Sequence, residues 1–312
     1  MKMAVPHELL TVCMGFGGAL LLILMTVTVE NLLLRRAHGL RRRRGTLLST
    51  AVLADVLKLL SKSPIAPGPR RGLAVVAVLL PAVLLVGGLP VGSGLGGLSA
   101  TITPADRWLA LAGILAVAPL PLLAFAATTT PIRRLPLAAV VITLVGAHAV
   151  LVFCIAAVLL AGDAGTDIAA RSLHNWPLWH HPTGGLAFLG ALAIISSGLR
   201  ISFGGPGPVR MPAGMVDGPG VSAVLLYMSR PLLIGGAAAL AAHLYLGTTA
   251  EAYGLIWACV AVCVTLVVVL QAAIGAPDPE GLSRLLWRQV VPLAVIDVAW
   301  SVLRAAGVGP WN

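Results

Sequence analysis

The sequence predicts an all-α polytopic membrane bundle of about eight transmembrane helices, with one further amphipathic helix lying along the cytoplasmic surface. Three observations carry this. Of 312 residues, 58% are hydrophobic and only 10% charged, and the mean hydropathy is +0.98. Apolar runs repeatedly reach the roughly 20 residues that a helix needs to cross a hydrocarbon core. The basic residues collect in alternate connecting segments, as membrane topology requires. The 35 glycines and 22 prolines would weaken a water-soluble helical bundle. In a bilayer, small residues let helices approach closely, and neighbouring helices satisfy the backbone groups that proline frees.

In chain order, the first span is expected over about 9–34. It is too long for a signal-peptide core and has no small-residue cleavage pattern, so it reads as a retained span. It closes on Glu30 and a basic loop with Arg35, Arg36, Arg41, Arg42, Arg43 and Arg44. The next run, 46–62, is too short and too charged to cross. Its Leu48, Val52, Val56, Leu59 and Leu60 share one helical face, and Asp55, Lys58 and Lys62 share the opposite one, the pattern of a helix lying in the membrane interface. The proline-rich SPIAPGPRRG turn at 63–72 then leads to span two at 73–90. Span three is expected at 108–128, kinked by Pro119 and Pro121. Span four covers 137–160. An outer loop at 163–183 carries His174, Trp176, Trp179, His180 and His181, and reads as a hydrated loop with interfacial tryptophans. Spans five to eight follow at 184–201, 221–245, 252–274 and 290–303. A Gly/Pro loop at 203–220 and the segment APDPEGLSRLLWR are two of the connections between them. No linker, repeat or soluble domain interrupts the chain, so 1–312 reads as a single integral membrane domain.

The distribution of charge fixes an orientation. With loop 35–71 cytoplasmic, the inner segments also hold Arg133, Arg134, Arg200, Arg210, Arg284 and Arg288, whereas the outer ones hold only Lys2, Arg107 and Arg171. The expected location is the cell (inner or plasma) membrane with both termini outside. The net charge of +10 follows from these inner loops, so it does not point to nucleic acid. There is no phosphate-binding G-x-x-x-x-G-K-[ST]. Cys13, Cys154, Cys259 and Cys263 all fall within spans, and no His or carboxylate joins the last two to complete a metal site. They read as buried structural thiols. His148 and His243, the histidines within spans, read as polar packing residues rather than a haem pair.

Charge at membrane depth is costly and usually faces a polar interior. Arg230 lies well inside span six and Asp297 near the middle of span eight. They are read either as a buried pair that holds the bundle together or as members of a hydrated ion path. Arg304, near a span end, is explained by snorkelling. Glu30, at the other extreme of the chain, stands at a span end beside the arginines and is the third ion-path candidate. On the surface helix the apolar face accounts for membrane attachment. That leaves Asp55, Lys58 and Lys62 facing water beside the loop arginines, a landing site for anionic lipid or a protein partner.

The stretch 30–62 resembles a known family. An acid at a span end, a basic loop ending Arg-Arg-Gly, a Leu-Leu pair and Leu53-Ala54-Asp55-Val56-Leu57-Lys58-Leu59-Leu60 look like the first cytoplasmic loop of one family of membrane proteins. That family comprises subunit 1 of respiratory complex I and subunit 4 of formate hydrogenlyase and energy-converting group 4 hydrogenases. Weaker echoes lie at 218–233 and 282–302. Gly45 is followed by Thr46 rather than by the Gly-Pro-Asn run of complex I, which leans toward the hydrogenase branch. The loop after span five departs from the family. It reads SFGGPGPVRMPAGMVDGPG with Asp217 its single acid, where the family carries Pro-Phe-Asp and several glutamates.

The resemblance implies a membrane-embedded, non-redox subunit that docks a soluble electron-transfer arm and couples it to proton or sodium translocation. The docking residues would be Arg35, Arg36, Arg41, Arg42, Arg43, Arg44, Asp55, Lys58 and Lys62. The partners would be hydrogenase-like or complex I-like soluble subunits, antiporter-like membrane subunits and the bilayer. No catalytic residue or resident cofactor is expected in this chain, and Fe–S clusters and nickel–iron would belong to partners. Quinone is a family ligand, but the altered loop argues against it and no independent motif supports it. The rival expectation is a stand-alone secondary transporter that binds an anionic substrate at Arg230, although such transporters usually show matched broken helices in two halves.

Overall fold

The computed structural model describes residues 72, 75–77, 79–83, 104–118, 120, 134–161, 177–198, 221–246, 253–274 and 279–306. Among the described residues every regular element is helical. Helical residues between 72 and 83 precede α1 (Pro104–Val117), α2 (Arg134–Leu160), α3 (Pro177–His180), α4 (Pro182–Gly198) and α5 (Val221–Ala241). Helix α5 runs on into a π-helical turn, Ala242–Leu246. Next come α6 (Tyr253–Ile274), α7 (Pro279–Leu285), a second π-helical turn over Leu286–Val290, and α8 (Val291–Ala305). The first span, the surface helix, Glu30 and all nine docking residues lie outside the described residues.

Proline and glycine explain where the observed elements depart from expectation. Helix α1 begins earlier than the expected span and ends at Val117, with Ala118 in a turn. Pro119 has no N–H to continue the helix and disfavours helical geometry in the residue before it. At the C-terminal end, hydropathy starts the last helix near 290, yet the chain is helical from Pro279 onward. A proline is tolerated in a first turn, and the Glu280–Arg284 pair at i, i+4 spacing closes at 3.1 Å on the exposed side. Most of the segment that reads as a charged link is thus nearly the first three turns of one long helix.

Helix α4 is the centre. It packs against α2, α8, α6 and α5, and from Ala191 to Gly198 every residue is buried. Its sequence, PTGGLAFLGALAIISSG, explains why. Gly, Ala and Ser on most sides let neighbouring helices close in, while Phe188, Leu192, Ile194 and Ile195 fill the space between them, all fully buried.

The outer helices are inverted relative to those of a water-soluble protein. Helix α8 buries Ala294, Asp297 and Ser301, and presents Val295, Ile296, Val302 and Leu303 outward. Helix α2 exposes Ile142, Val145, Phe153 and Leu160, and α6 exposes Val262, Leu266 and Val269. In water each such side chain, about half exposed, would forgo about half of the 1.5–3 kcal/mol that full burial provides, whereas against lipid it forgoes nothing. Among the described residues, two helices are long and apolar enough to cross a membrane, Ile142–Leu160 and Glu280–Ala305, and Pro182–Gly198 and Ala258–Ile274 are shorter apolar helices.

Candidate functional site: the two polar ends of a buried helix

Asp297 and Arg230, with their hydrogen-bond partners, stand at the two ends of α4. At its N-terminal end stands Asp297, 1% exposed, beside His181 at 0%. His181 immediately precedes α4. Its backbone N–H donates to the Pro177 carbonyl at 2.8 Å, and its own carbonyl accepts from the Gly185 N–H at 3.0 Å. The chain therefore turns from α3 into α4 with little interruption and carries the imidazole inward. The Ser301 hydroxyl donates to the Asp297 backbone carbonyl, four residues earlier, at 2.8 Å. With that proton committed, His181 Nδ1–H is the donor toward both Asp297 Oδ1 at 3.3 Å and Ser301 Oγ at 3.5 Å. Thr183 Oγ1 donates to the same carboxylate oxygen at 3.3 Å.

Two further features hold the carboxylate there. The first turn of α4 has backbone N–H groups without intrahelical acceptors and the positive end of the helix dipole, both of which favour an anion. Gly184 supplies the room, because a Cβ at that position would overlap Asp297 Oδ2 and come within 2.6 Å of its Cγ. The Oδ2 atom is itself buried and has no hydrogen-bond partner among the described residues.

Arg230, half-buried on α5, serves the opposite end of α4. Its Nε donates to the Ser196 carbonyl at 2.9 Å. Its terminal nitrogen donates to Ser196 Oγ at 2.9 Å and to Gln271 Oε1 at 3.0 Å. Ser196 Oγ in turn donates to Gln271 Oε1 at 2.8 Å. Ser196 lies in the last turn of α4, where carbonyls have no intrahelical donor and the dipole is negative, so a guanidinium satisfies both.

Asp297 and Arg230 are thus not a pair. From Thr183 to Ser196 the helix advances about 20 Å at about 1.5 Å per residue, and each charge is held by its own end of α4. Between the ends lie other buried polar groups. The Cys154 thiol adjoins the Tyr245 hydroxyl, and Tyr245 stacks edge-on against Phe188 of α4, with centroids 6.0 Å apart. Because Gly146 faces Leu286 and Gly190 faces Val290, His148 stands part-way along the same axis. Its Nδ1–H donates to the Leu144 carbonyl at 2.8 Å, leaving Nε2 buried and without a partner among the described residues. The Ser197 hydroxyl at the Arg230 end is in the same condition. Groups of this kind are uncommon in folded proteins.

His181 departs from the expected hydrated loop, since it is fully buried on Asp297, while residues 163–176 of that loop lie outside the described residues. The signal was Pro182, which opens a helix at its first position and makes His181 the residue at its N-terminal boundary, ahead of the small residues Thr183-Gly184-Gly185. Ser196, Gln271, Thr183 and Ser301 also escape a scan restricted to charged residues, although uncharged polar side chains in apolar helices carry much of the interhelical hydrogen bonding in membranes. Arg304 is half-buried near the end of α8. Among the described residues no three His, Cys, Asp or Glu side chains group to hold a metal ion.

No family model matches the chain, and no curated protein does. Among solved structures it is similar to a chain of the membrane-bound sulfane sulfur reductase, an archaeal respiratory membrane complex. The TM-score is 0.63 at 16% identity, and the alignment covers 92% of this chain and 99% of that one. The fold is shared. It is shared along nearly the whole of both chains, so the described helices belong to one continuous architecture rather than to a local motif.

Proposed function

We propose that this chain is a membrane-embedded, non-redox subunit of a complex I-like or group 4 hydrogenase-like assembly. It docks a soluble electron-transfer arm and, through its buried polar groups, couples that arm to proton or sodium movement. The observation that carries this reading is the end-to-end fold likeness to a chain of a respiratory membrane complex, in keeping with the sequence resemblance at 30–62. Eight spans, a single membrane domain, cytoplasmic placement of loop 35–71 and outside termini form part of the same proposal.

Docking falls to Arg35, Arg36, Arg41, Arg42, Arg43, Arg44, Asp55, Lys58 and Lys62. The ion-path residues are Glu30, Arg230 and Asp297, joined by His181. Asp297 and His181 exchange a proton at Oδ1 and Nδ1, Thr183 and Ser301 keep the two in register, and Arg230 with Gln271 and Ser196 sets the electrostatics of the other end. Partners supply Fe–S and nickel–iron chemistry, antiporter-like subunits lie alongside in the membrane, and quinone is not assigned to this chain.

The test is purification in mild detergent followed by identification of the proteins that accompany the tagged chain. Hydrogenase-like or complex I-like subunits should co-purify and be lost when Arg41, Arg42, Arg43 and Arg44 are all changed to Gln. In vesicles holding the complex, Asp297→Asn should abolish ion uptake while leaving the assembly intact. A stable chain that runs alone, or with copies of itself, overturns the subunit reading and turns attention to an anionic substrate at Arg230.

A further inference from the structure

The packing of α2 against α8 leaves an elongated cleft of ≈ 360 Å³ on the outer surface of the bundle, with an almost entirely apolar lining. Its floor and walls come from Gly146, Ala149 and Phe153 on one side and Ala294, Ala299 and Trp287 on the other. From Trp287 to Ala299 the wall extends about 18 Å, at about 1.5 Å per residue. That is close to one leaflet, half of a hydrocarbon core about 30 Å thick. Dividing volume by length gives a cross-section of about 20 Å², the width of a single polymethylene chain. A helix about 10 Å across needs about 80 Å², so the cleft takes a chain and not a helix.

One end of the cleft is charged. Trp287 is 56% exposed, as interfacial tryptophans are. Arg288 follows it, exposed, and lies one turn before Val291 of the lining. Arg284 stands one turn before Trp287 and is engaged by Glu280 at 3.1 Å, so the acid and Arg284 offset each other and, among the described residues, the charge of Arg288 is left over. Side chains on a helix lean toward its N-terminus, which carries both guanidinium groups away from the apolar lining and toward the aqueous boundary.

We propose that this cleft binds one anionic phospholipid, with an acyl chain along α2 and α8 and the phosphate on Arg288. Charge complementarity selects the occupant. A zwitterionic lipid brings the same tails but no net charge, and basic residues between membrane helices at the interface are a recurrent anionic-headgroup site. The site depends on the membrane placement of α2 and α8 and not on ion coupling, so it stands or falls separately from the function proposed above.

The experiment is native mass spectrometry of the full-length purified protein, delipidated and then supplied with phosphatidylglycerol or phosphatidylcholine. The wild type should retain one phosphatidylglycerol in preference to phosphatidylcholine. Arg288→Gln should lower that retention about fivefold and erase the preference. Ala299→Phe, a change at an exposed position that fills the cleft, should lose both lipids, while Val262→Phe on the exposed side of α6 should behave as wild type. Equal retention of the two lipids by the wild type, or undiminished phosphatidylglycerol on Arg288→Gln and Ala299→Phe, overturns the proposal. A photocrosslinker at position 299 in membranes should capture lipid, and capture of a polypeptide there would assign the cleft to a partner protein instead.

Discussion

Gly184→Ala tests the Asp297 site most directly, because one methyl group is enough to disturb it. The added Cβ would overlap Asp297 Oδ2 and lie 2.6 Å from Cγ and 3.0 Å from Oδ1. The carboxylate cannot swing aside freely, since His181 and Thr183 both hold its Oδ1. Overpacking of a fitted site costs about 1–3 kcal/mol. If the carboxylate yields, each hydrogen bond to a charged group that it gives up costs about 1.5–3 kcal/mol. The better helix propensity of alanine returns up to about 1 kcal/mol, so the net loss should be about 2–4 kcal/mol. The assay is SDS unfolding of the purified protein, with Gly113→Ala as control, since nothing lies within 4 Å of a Cβ there. That control should be neutral or slightly stabilised. In an Asp297→Ala background the cost of Gly184→Ala should largely vanish, because the atoms it strikes are gone and the two changes are strongly coupled. A Gly184→Ala protein as stable as wild type, or an equal penalty in both backgrounds, would refute the placement of Asp297 against α4.

The same unfolding assay checks four further expectations. Gly146→Ala looks similar on paper, with a Cβ 2.9 Å from Leu286 Cδ2, but the neighbour is the movable end of an aliphatic chain, and the change should cost under ~1 kcal/mol. His181→Leu removes one partner of a fully buried pair and should cost about 3–5 kcal/mol. Ser196→Ala takes away an acceptor from Arg230 and a donor from Gln271 while leaving the backbone contact, and should cost about 1–3 kcal/mol. Arg284→Gln breaks an ion pair whose side chains are 67% and 74% exposed, and should change stability by less than ~1 kcal/mol.

Much of the bundle was legible because apolar runs bounded by glycine, proline and charge have a physical length scale. Helices α2, α5 and α6 lie close to where hydropathy puts them. The start of the last helix was not legible. Glu280, Arg284 and Arg288 resemble a loop in composition, and their helical state depends on α7 packing against α2, which local pattern does not encode. At the site, Asp297 and Arg230 stood out as charges at membrane depth, but their separation did not, because it is set by which end of α4 each one reaches. His181 was hidden for a related reason. A histidine next to His180 and beneath a tryptophan-rich segment reads as wet until the helix that turns it inward is known.

The placement of opposite charges at the two ends of one buried helix has an electrical consequence. On the proposed ion path, a proton that entered at the Arg230 end and settled on Asp297 would travel about 20 Å of a hydrocarbon core about 30 Å thick, or roughly two-thirds of the field across the membrane. With about 2.3 kcal/mol per charge per 100 mV across the full thickness, its arrival would be biased by about 1.5 kcal/mol for each 100 mV. Occupancy of Asp297 from that side would then shift roughly tenfold per 100 mV, so the acid would report membrane voltage as well as proton supply.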